Sequence, residues 1–264
     1  MLCLQNRARI LRGICRIVPD ARVGAGFKRV GGLMIGTIAD FETPRRNMVE
    51  SQIRTNKVTD AALIEILSTV PRELFVPDRL ASLAYADEDI EIAPHRYLME
   101  PLVLARLLQT AGVTEEDMVL DIGCGTGYST AVLSKLANTV AAVESDPKLA
   151  SHATSLLSQL DMDNAVVMTE PLEQGYPHQA PYDVILLGGA VRTIPEAILG
   201  QMAEGGRLVA VFLEGEKLLG KGTLMICRNG KRAFARTPSR QFFSPLNTGA
   251  QEAEWFVSLL DCLN

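Results

Sequence analysis

The sequence predicts an α/β fold: a Rossmann-like, open, mostly parallel twisted sheet with helices on both faces, antiparallel strands at one edge and a helical N-terminal cap. Three observations carry this. From residue 118 onward, short and continuously apolar runs alternate with segments of helical spacing, which is how strands buried on both faces of a parallel sheet read. A glycine-rich turn follows the first of those runs and opens a helix. Two late runs, 222–228 and 239–246, have no helix between them and are expected to pair antiparallel at one edge.

The elements follow in order. Residues 43–57 read as a helix, with Thr43 as N-cap and Pro44 at the first helical position. Asp60 caps a second helix whose Leu63, Ile64, Leu67 and Val70 share one face. Pro71 and Pro77 then break the chain, and residues 78–99 look irregular. Pro101 opens a helix that ends near Gly112. Strands are expected at 118–122, 139–144, 165–169, 182–187 and 207–213, with helices at 128–137, 147–160 and 194–203. The tail, with the sole tryptophan Trp255, is amphipathic and is expected to pack as a C-terminal helix.

Charge divides the chain in two. The whole carries a formal −5 over 264 residues, but residues 1–33 hold seven basic side chains and one acid, Asp20. The remainder holds 19 basic and 30 acidic residues, a net of −11. An acidic body argues against a nucleic-acid surface, and no apolar run approaches the roughly 18 residues of a membrane helix. The basic head reads as a transit-like leader or, the preferred reading, as an upstream extension with Met34 as the working start. The expected organisation is therefore a poorly ordered head over 1–33 and a single domain over 34–264, divided into a cap with substrate loop (34–112) and a sheet (113–264). Five cysteines without a paired spacing suit neither zinc nor a disulfide framework. With only three histidines, no metal site is expected, and the scattered thiols fit a reducing cytoplasm.

The strongest local signal is Val119-Leu120-Asp121-Ile122-Gly123-Cys124-Gly125-Thr126-Gly127. In an open parallel sheet, ligands bind beyond the carboxyl ends of the strands, and a helix start offers free N–H groups to an anion. The spacing is G-x-G-x-G rather than the dinucleotide G-x-G-x-x-G, and Tyr128 follows. Asp121 gains nothing from a pyrophosphate but complements an ammonium group. S-adenosylmethionine carries an ammonium, a carboxylate and a sulfonium. The second strand ends in Glu144, followed by Ser145, where an acid accepts from ribose hydroxyls. The third ends at Thr169-Glu170-Pro171, within reach of an adenine amino group. Taken singly, Glu144 and Glu170 could be solvated strand-end charges; one acid at each of three successive strand ends is a joint pattern. Cys124 reads as a small loop filler rather than a reactive thiol.

The block VLDIGCGTGYSTAVLSKLANTVAAVE resembles the cofactor half of class I methyltransferases. The more specific block, NMVESQIRTNKVTDAALIEILSTVPRELFVPDRLASLAYAD, resembles the N-terminal region of protein-L-isoaspartate O-methyltransferases, and the likeness runs over roughly residues 45–246. The resemblance implies S-adenosylmethionine as cofactor, with roles carried over to Asp121, Gly123, Gly125, Gly127 and Glu144; Cys124, Tyr128, Ser145, Glu170 and Pro171, which adjoin the turn and the strand ends, are further expected contacts. It implies protein or peptide substrates bearing isoaspartyl residues, and methylation of their free carboxylate. The family usually has Asp before Gly where this chain has Glu170-Pro171. Its substrate loop typically reads Gly-Gln-Thr-Ile-Ser-Gln-Pro, with a functional serine. Anchored on Pro101, that loop here is His95-Arg96-Tyr97-Leu98-Met99-Glu100-Pro101. Met99 stands at the serine, and a register through Ala93-Pro94-His95 would put Ile92 there instead. Methionine donates no hydrogen bond. Arg96 could clamp a carboxylate and Tyr97 donate from its hydroxyl; equally, Arg96 could be a solvated charge and His95 a loop residue. Three readings stay open: an isoaspartyl methyltransferase with an altered loop, a relative acting on another substrate, and a cofactor-binding protein without turnover.

Overall fold

The computed structural model describes residues 27–30, 33–36, 40–213, 220–235 and 242–243. The chain divides into two units, 1–39 and 40–264. Within the first, Phe27–Val30 (β1) and Leu33–Gly36 (β2) form an antiparallel hairpin. The tail around Trp255, and most of the predicted 239–246 strand, lie outside the described residues.

The second unit opens with one continuous helical stretch. It is α-helical over Glu42–Asn47 (α1), widens to a π-helix over Met48–Ile53 and tightens over Arg54–Asn56. It begins one residue before the predicted Thr43 cap, because Asp40 accepts from both the Glu42 N–H (3.0 Å) and the Thr43 hydroxyl (3.0 Å). The hydroxyls of Ser51 and Thr55 bond back to the carbonyls of Asn47 and Ser51, competition that loosens a regular helix. Asp60 caps Ala61–Thr69 (α2) through the Leu63 N–H, as its sequence predicts. Residues 78–99 are more ordered than expected. They hold a 3-10 turn at Asp78–Leu83 and a second hairpin, Ile90–Ala93 (β3) with Arg96–Leu98 (β4). His95 turns this hairpin with φ +60°, a conformation with no apolar periodicity to announce it. Pro101–Ala111 (α3) ends at Gly112, as predicted.

The sheet follows: Met118–Ile122 (β5), Tyr128–Ser134 (α4), Thr139–Glu144 (β6), Pro147–Gln159 (α5), Ala165–Thr169 (β7), Tyr182–Val191 (β8), Glu196–Leu199 (α6), Met202–Leu213 (β9), Gly220–Arg228 (β10), Lys231–Ala235 (β11) and Phe242–Phe243 (β12). The order is β11-β10-β9-β8-β5-β6-β7, with β12 also on β10. The five strands β7 to β9 are parallel, and β10, β11 and β12 are antiparallel additions at one edge. Alternate residues serve two cores. Val119, Val184, Leu186, Val209 and Val211 pack with α2, α3 and α4, whereas Leu120, Ile185, Leu187, Leu208 and Ala210 pack with Ile198 and Leu172. Burial on both faces is why these strands read as unbroken apolar runs.

Three expectations need correction. The helix at 194–203 shrinks to one turn, because β9 already begins at Met202, paired with Tyr182. Strand β8 runs on to Val191 rather than ending at Leu187. Finally, β11 has no counterpart among the expected strands. Its signal was the dipeptide Asn229-Gly230, both at positive φ (+52° and +66°), the favoured chemistry of a two-residue hairpin turn.

Candidate active site

The carboxyl ends of β5 and β6 lie side by side, Ile122 opposite Val143. The glycine turn crosses from β5 to α4 directly above them. Its Gly123 and Cys124 N–H groups donate to the Val143 carbonyl (2.8 and 3.3 Å), so the turn extends the ladder before leaving it. Gly125 has φ +58°, and a Cβ there would stand 2.8 Å from Ile92 Cδ1 of the β3–β4 hairpin. Thr126 ties the turn to the cap through the Phe75 carbonyl (2.6 Å). Sequence reasoning missed Gly188, on β8 beside the turn: a Cβ would meet the Gly123 carbonyl at 2.6 Å. The Gly188-Gly189 pair at the end of an apolar strand was the available signal.

Asp121 is fully buried. Its Oδ2 accepts from the Ser129 and Thr130 hydroxyls, both at 2.7 Å, which pins the first turn of α4 to the strand end. Oδ1 is buried and has no hydrogen-bond partner among the described residues. Burial, only partly offset by the two hydroxyls, pushes the carboxyl up to about 6. A buried, unpaired carboxylate oxygen is costly and well suited to a ligand cation.

Glu144 is equally enclosed. Its Oε1 accepts from the Asp146 N–H (2.9 Å), and its Oε2 accepts from the Gly125 N–H (2.8 Å) and pairs with the Arg96 guanidinium. Arg96 also reaches Ser145 Oγ (3.3 Å). The structure thus brings the predicted substrate-loop residue Arg96 onto two predicted cofactor residues. Burial raises the Glu144 pKa, and Arg96 acts against that.

The other predicted residues fall into three groups. Tyr97 and Met99 line a small crevice with Ile92, Gly123, Cys124 and Ser129; burial raises the Tyr97 phenol. Cys124 and Tyr128 are buried, and burial pushes the Cys124 thiol well up, leaving it a filler rather than a nucleophile. Gly127 packs α4 on α5, since a Cβ would come within 3.1 Å of Ala153 Cβ. Glu170 and Pro171 lie exposed just past β7, beside the end of β6, and are not drawn into the same cluster.

The residue that sequence reasoning missed most is Arg72. It is fully buried, donates to the carbonyls of Ala84 and Met99 (both 2.6 Å), and lies 4.7 Å from the centre of the Tyr128 ring. One cation thereby ties the cap, the substrate loop and the start of α4 together. Beside it, Glu100 is half-buried near Asp89 and Asp87, and burial first, then those charges, push its carboxyl up to about 7.

A family model, protein-L-isoaspartate(D-aspartate) O-methyltransferase, matches residues 43–219. The chain belongs to that family. Among protein-L-isoaspartate O-methyltransferases similar to it, that of Methylorubrum extorquens is 34% identical over 222 residues, spanning 82% of this chain and 94% of the relative. That of Protochlamydia amoebophila is 39% identical over 175 residues, 65% and 83% of the two chains. A solved protein-L-isoaspartate O-methyltransferase superposes with a TM-score of 0.63 at 24% identity, covering 78% of this chain and 67% of that one. A Plasmodium falciparum chain assigned to the same family, solved with S-adenosyl-L-homocysteine, gives 0.60 at 17% identity, covering 83% and 97%. These likenesses carry the Rossmann-like methyltransferase fold with its antiparallel edge. Among the described residues, no helix is long and apolar enough to cross a membrane.

Proposed function

We propose that the chain is an S-adenosylmethionine-dependent carboxyl O-methyltransferase that methylates the free carboxylate of isoaspartyl residues in proteins. The observation that carries the cofactor half is the pair of buried carboxylates, Asp121 and Glu144, on neighbouring strand ends flanking the glycine turn. The unpaired Asp121 Oδ1 fits the ammonium group, the Glu144 carboxylate fits ribose hydroxyls, and Glu170 fits the adenine edge. The substrate half is supported by the names of the curated relatives. When bound, the cofactor supplies an electrophilic methyl group on sulfur. The isoaspartyl carboxylate, with a pKa near 4, is already ionised at neutral pH, so no side chain has to remove a proton. What remains for the protein is to hold that carboxylate in line and exclude water. Tyr97 and Arg96, at the crevice and beside it, are the groups proposed to orient it. A cytoplasmic setting fits the buried free thiols Cys124 and Cys227.

A second reading rests on Met99. Its side chain is buried at the position where the family resemblance expects a serine, so the orienting hydroxyl is gone and another substrate could be the natural one. Labelled cofactor with an isoaspartyl peptide, against its aspartyl twin, separates the two. Alkali-labile methyl ester on the isoaspartyl peptide alone is the expected result. Cofactor binding with no ester would overturn the isoaspartyl reading and favour the second.

A further inference from the structure

The Arg96–Glu144 pair sets a conflict within the proposed site. Glu144 has no exposed side-chain surface, and Arg96, itself 15% exposed, belongs to its cover. A carboxylate offers about four acceptor positions. Three are taken, by the Asp146 N–H, the Gly125 N–H and Arg96. Two ribose hydroxyls need two acceptors, so one present donor must leave. The two N–H groups belong to the glycine turn and to the start of α5, both fixed in the sheet's frame. Arg96 is the movable one. It stands at the first position of β4, next to the left-handed His95, in a two-stranded hairpin outside the main sheet. The same hairpin supplies Ile92 and Tyr97 to the crevice.

From this we infer that Arg96 is a substrate-binding residue with two partners in turn: it pairs with Glu144 until ribose hydroxyls take that carboxylate, and is then released to pair with the substrate carboxylate. Cofactor binding thereby precedes and promotes substrate binding. The exchange at Glu144 rests only on cofactor binding; the clamp on substrate rests on the isoaspartyl reading proposed above. At the end of the sequence the guanidinium again holds one carboxylate, while Glu144 has exchanged its cation for hydroxyl donors. The fork geometry of arginine suits both.

Calorimetry with S-adenosylhomocysteine tests the exchange. Arg96→Ala is expected to bind it as tightly as the wild type or up to tenfold more tightly, with Arg96→Lys between the two. Loosening of tenfold or more in both variants would show that Arg96 builds the cofactor site rather than competes for it, and overturns the exchange. Thermal unfolding with and without S-adenosylhomocysteine gives the same comparison where Arg96→Ala is poorly soluble: the upward shift in Tm should be at least as large in Arg96→Lys as in the wild type, and a smaller shift counts against the exchange. The clamp is tested with a fluorescent isoaspartyl peptide on the wild type. Binding should strengthen at least tenfold when S-adenosylhomocysteine is present, and equal binding in both conditions overturns the ordered sequence. In turnover, Arg96→Ala should raise KM for the peptide at least tenfold while kcat changes less; an unchanged KM overturns the clamp. A wild-type protein that binds S-adenosylhomocysteine yet methylates no isoaspartyl peptide overturns the clamp together with the substrate reading, while the calorimetric comparison still decides the exchange.

Discussion

The glycine turn between β5 and α4 and the hairpin of β3 and β4 face one crevice, but they are held in place by different means. The turn is fixed by main-chain bonds to β6 and by the absence of side chains at Gly125 and Gly188. The hairpin lies outside the large sheet: Ile90 and Leu98 anchor it in the core, Arg72 holds the Met99 carbonyl just past it, and Arg96 at its tip pairs with Glu144. A wall made of strand ends has little freedom, because moving it breaks a ladder. A wall made of a short two-stranded hairpin, with no ladder to the large sheet, can shift at the cost of fewer hydrogen bonds. The division suits a rigid cofactor half and an adjustable substrate half.

The largest effect is expected where the rigid wall meets charge. Asp121→Ala should weaken S-adenosylhomocysteine binding by about 30- to 1000-fold, the worth of roughly 2–4 kcal/mol for a buried charged contact. Calorimetry checks it, and unchanged affinity would remove the carboxylate from the cofactor site. Next comes the adjustable wall. Arg72→Met should destabilise the protein by about 2–4 kcal/mol, since two buried carbonyls, of Ala84 and Met99, lose their donor. Urea unfolding reads this, and a change under about 1 kcal/mol would mean that the hairpin does not depend on that cation. Gly188→Ala should cost about 1–3 kcal/mol, because the new methyl meets backbone rather than a yielding side chain. If it proves harmless, the turn is less rigid than its packing implies.

A pH dependence sharpens the contrast further. Burial raises the folded-state pKa of Glu100 from 4.5 to about 7, so folding favours its protonated form. Its contribution is complete below pH 4.5 and is lost as pH rises through about 7. Glu100→Gln should therefore match the wild type at pH 5 and exceed it at pH 8 by about 1 kcal/mol, a figure reduced for partial solvent exposure. Tm measured against pH decides it; an equal gain at both values would exclude titration as the cause. The smallest effect belongs to a surface pair. Arg54→Ala should change stability by less than about 0.5 kcal/mol, since its partner Glu50 is four residues away on an exposed helix face.

The rigid wall was the legible one. Strands β5, β6 and β7 fall where their apolar runs place them, because residues 118–122, 139–144 and 165–169 are bounded by polar or turn residues; β5 and β6 are covered on both faces, whereas β7, at the sheet edge, leaves Val166 exposed. Asp121 and Glu144 could be placed because strand ends locate themselves. The adjustable wall was not legible. Nothing in the local pattern says that Arg72 is buried, since its partners Ala84 and Met99 are 12 and 27 residues away. The pairing of Arg96 with Glu144 spans 48 residues. The alternation of residues 90–98 is interrupted by Pro94 and a left-handed His95, so it gave no strand periodicity. Met99 stands where the resemblance expects a serine, but the anchoring of its carbonyl by Arg72, 27 residues away, leaves no local trace in the sequence.

The buried Arg72 also bears on transplantation. Grafting residues 90–101 onto another family member, to move its substrate preference, would carry over the visible letters of the loop and omit its fastening. Arg72 lies in a different element and supports Ala84 in the cap as well as Met99 in the loop. The unit of exchange between such proteins is therefore the loop with its cap segment, 72–101, and a swap of the shorter piece alone would be misread as a failure of the loop's chemistry.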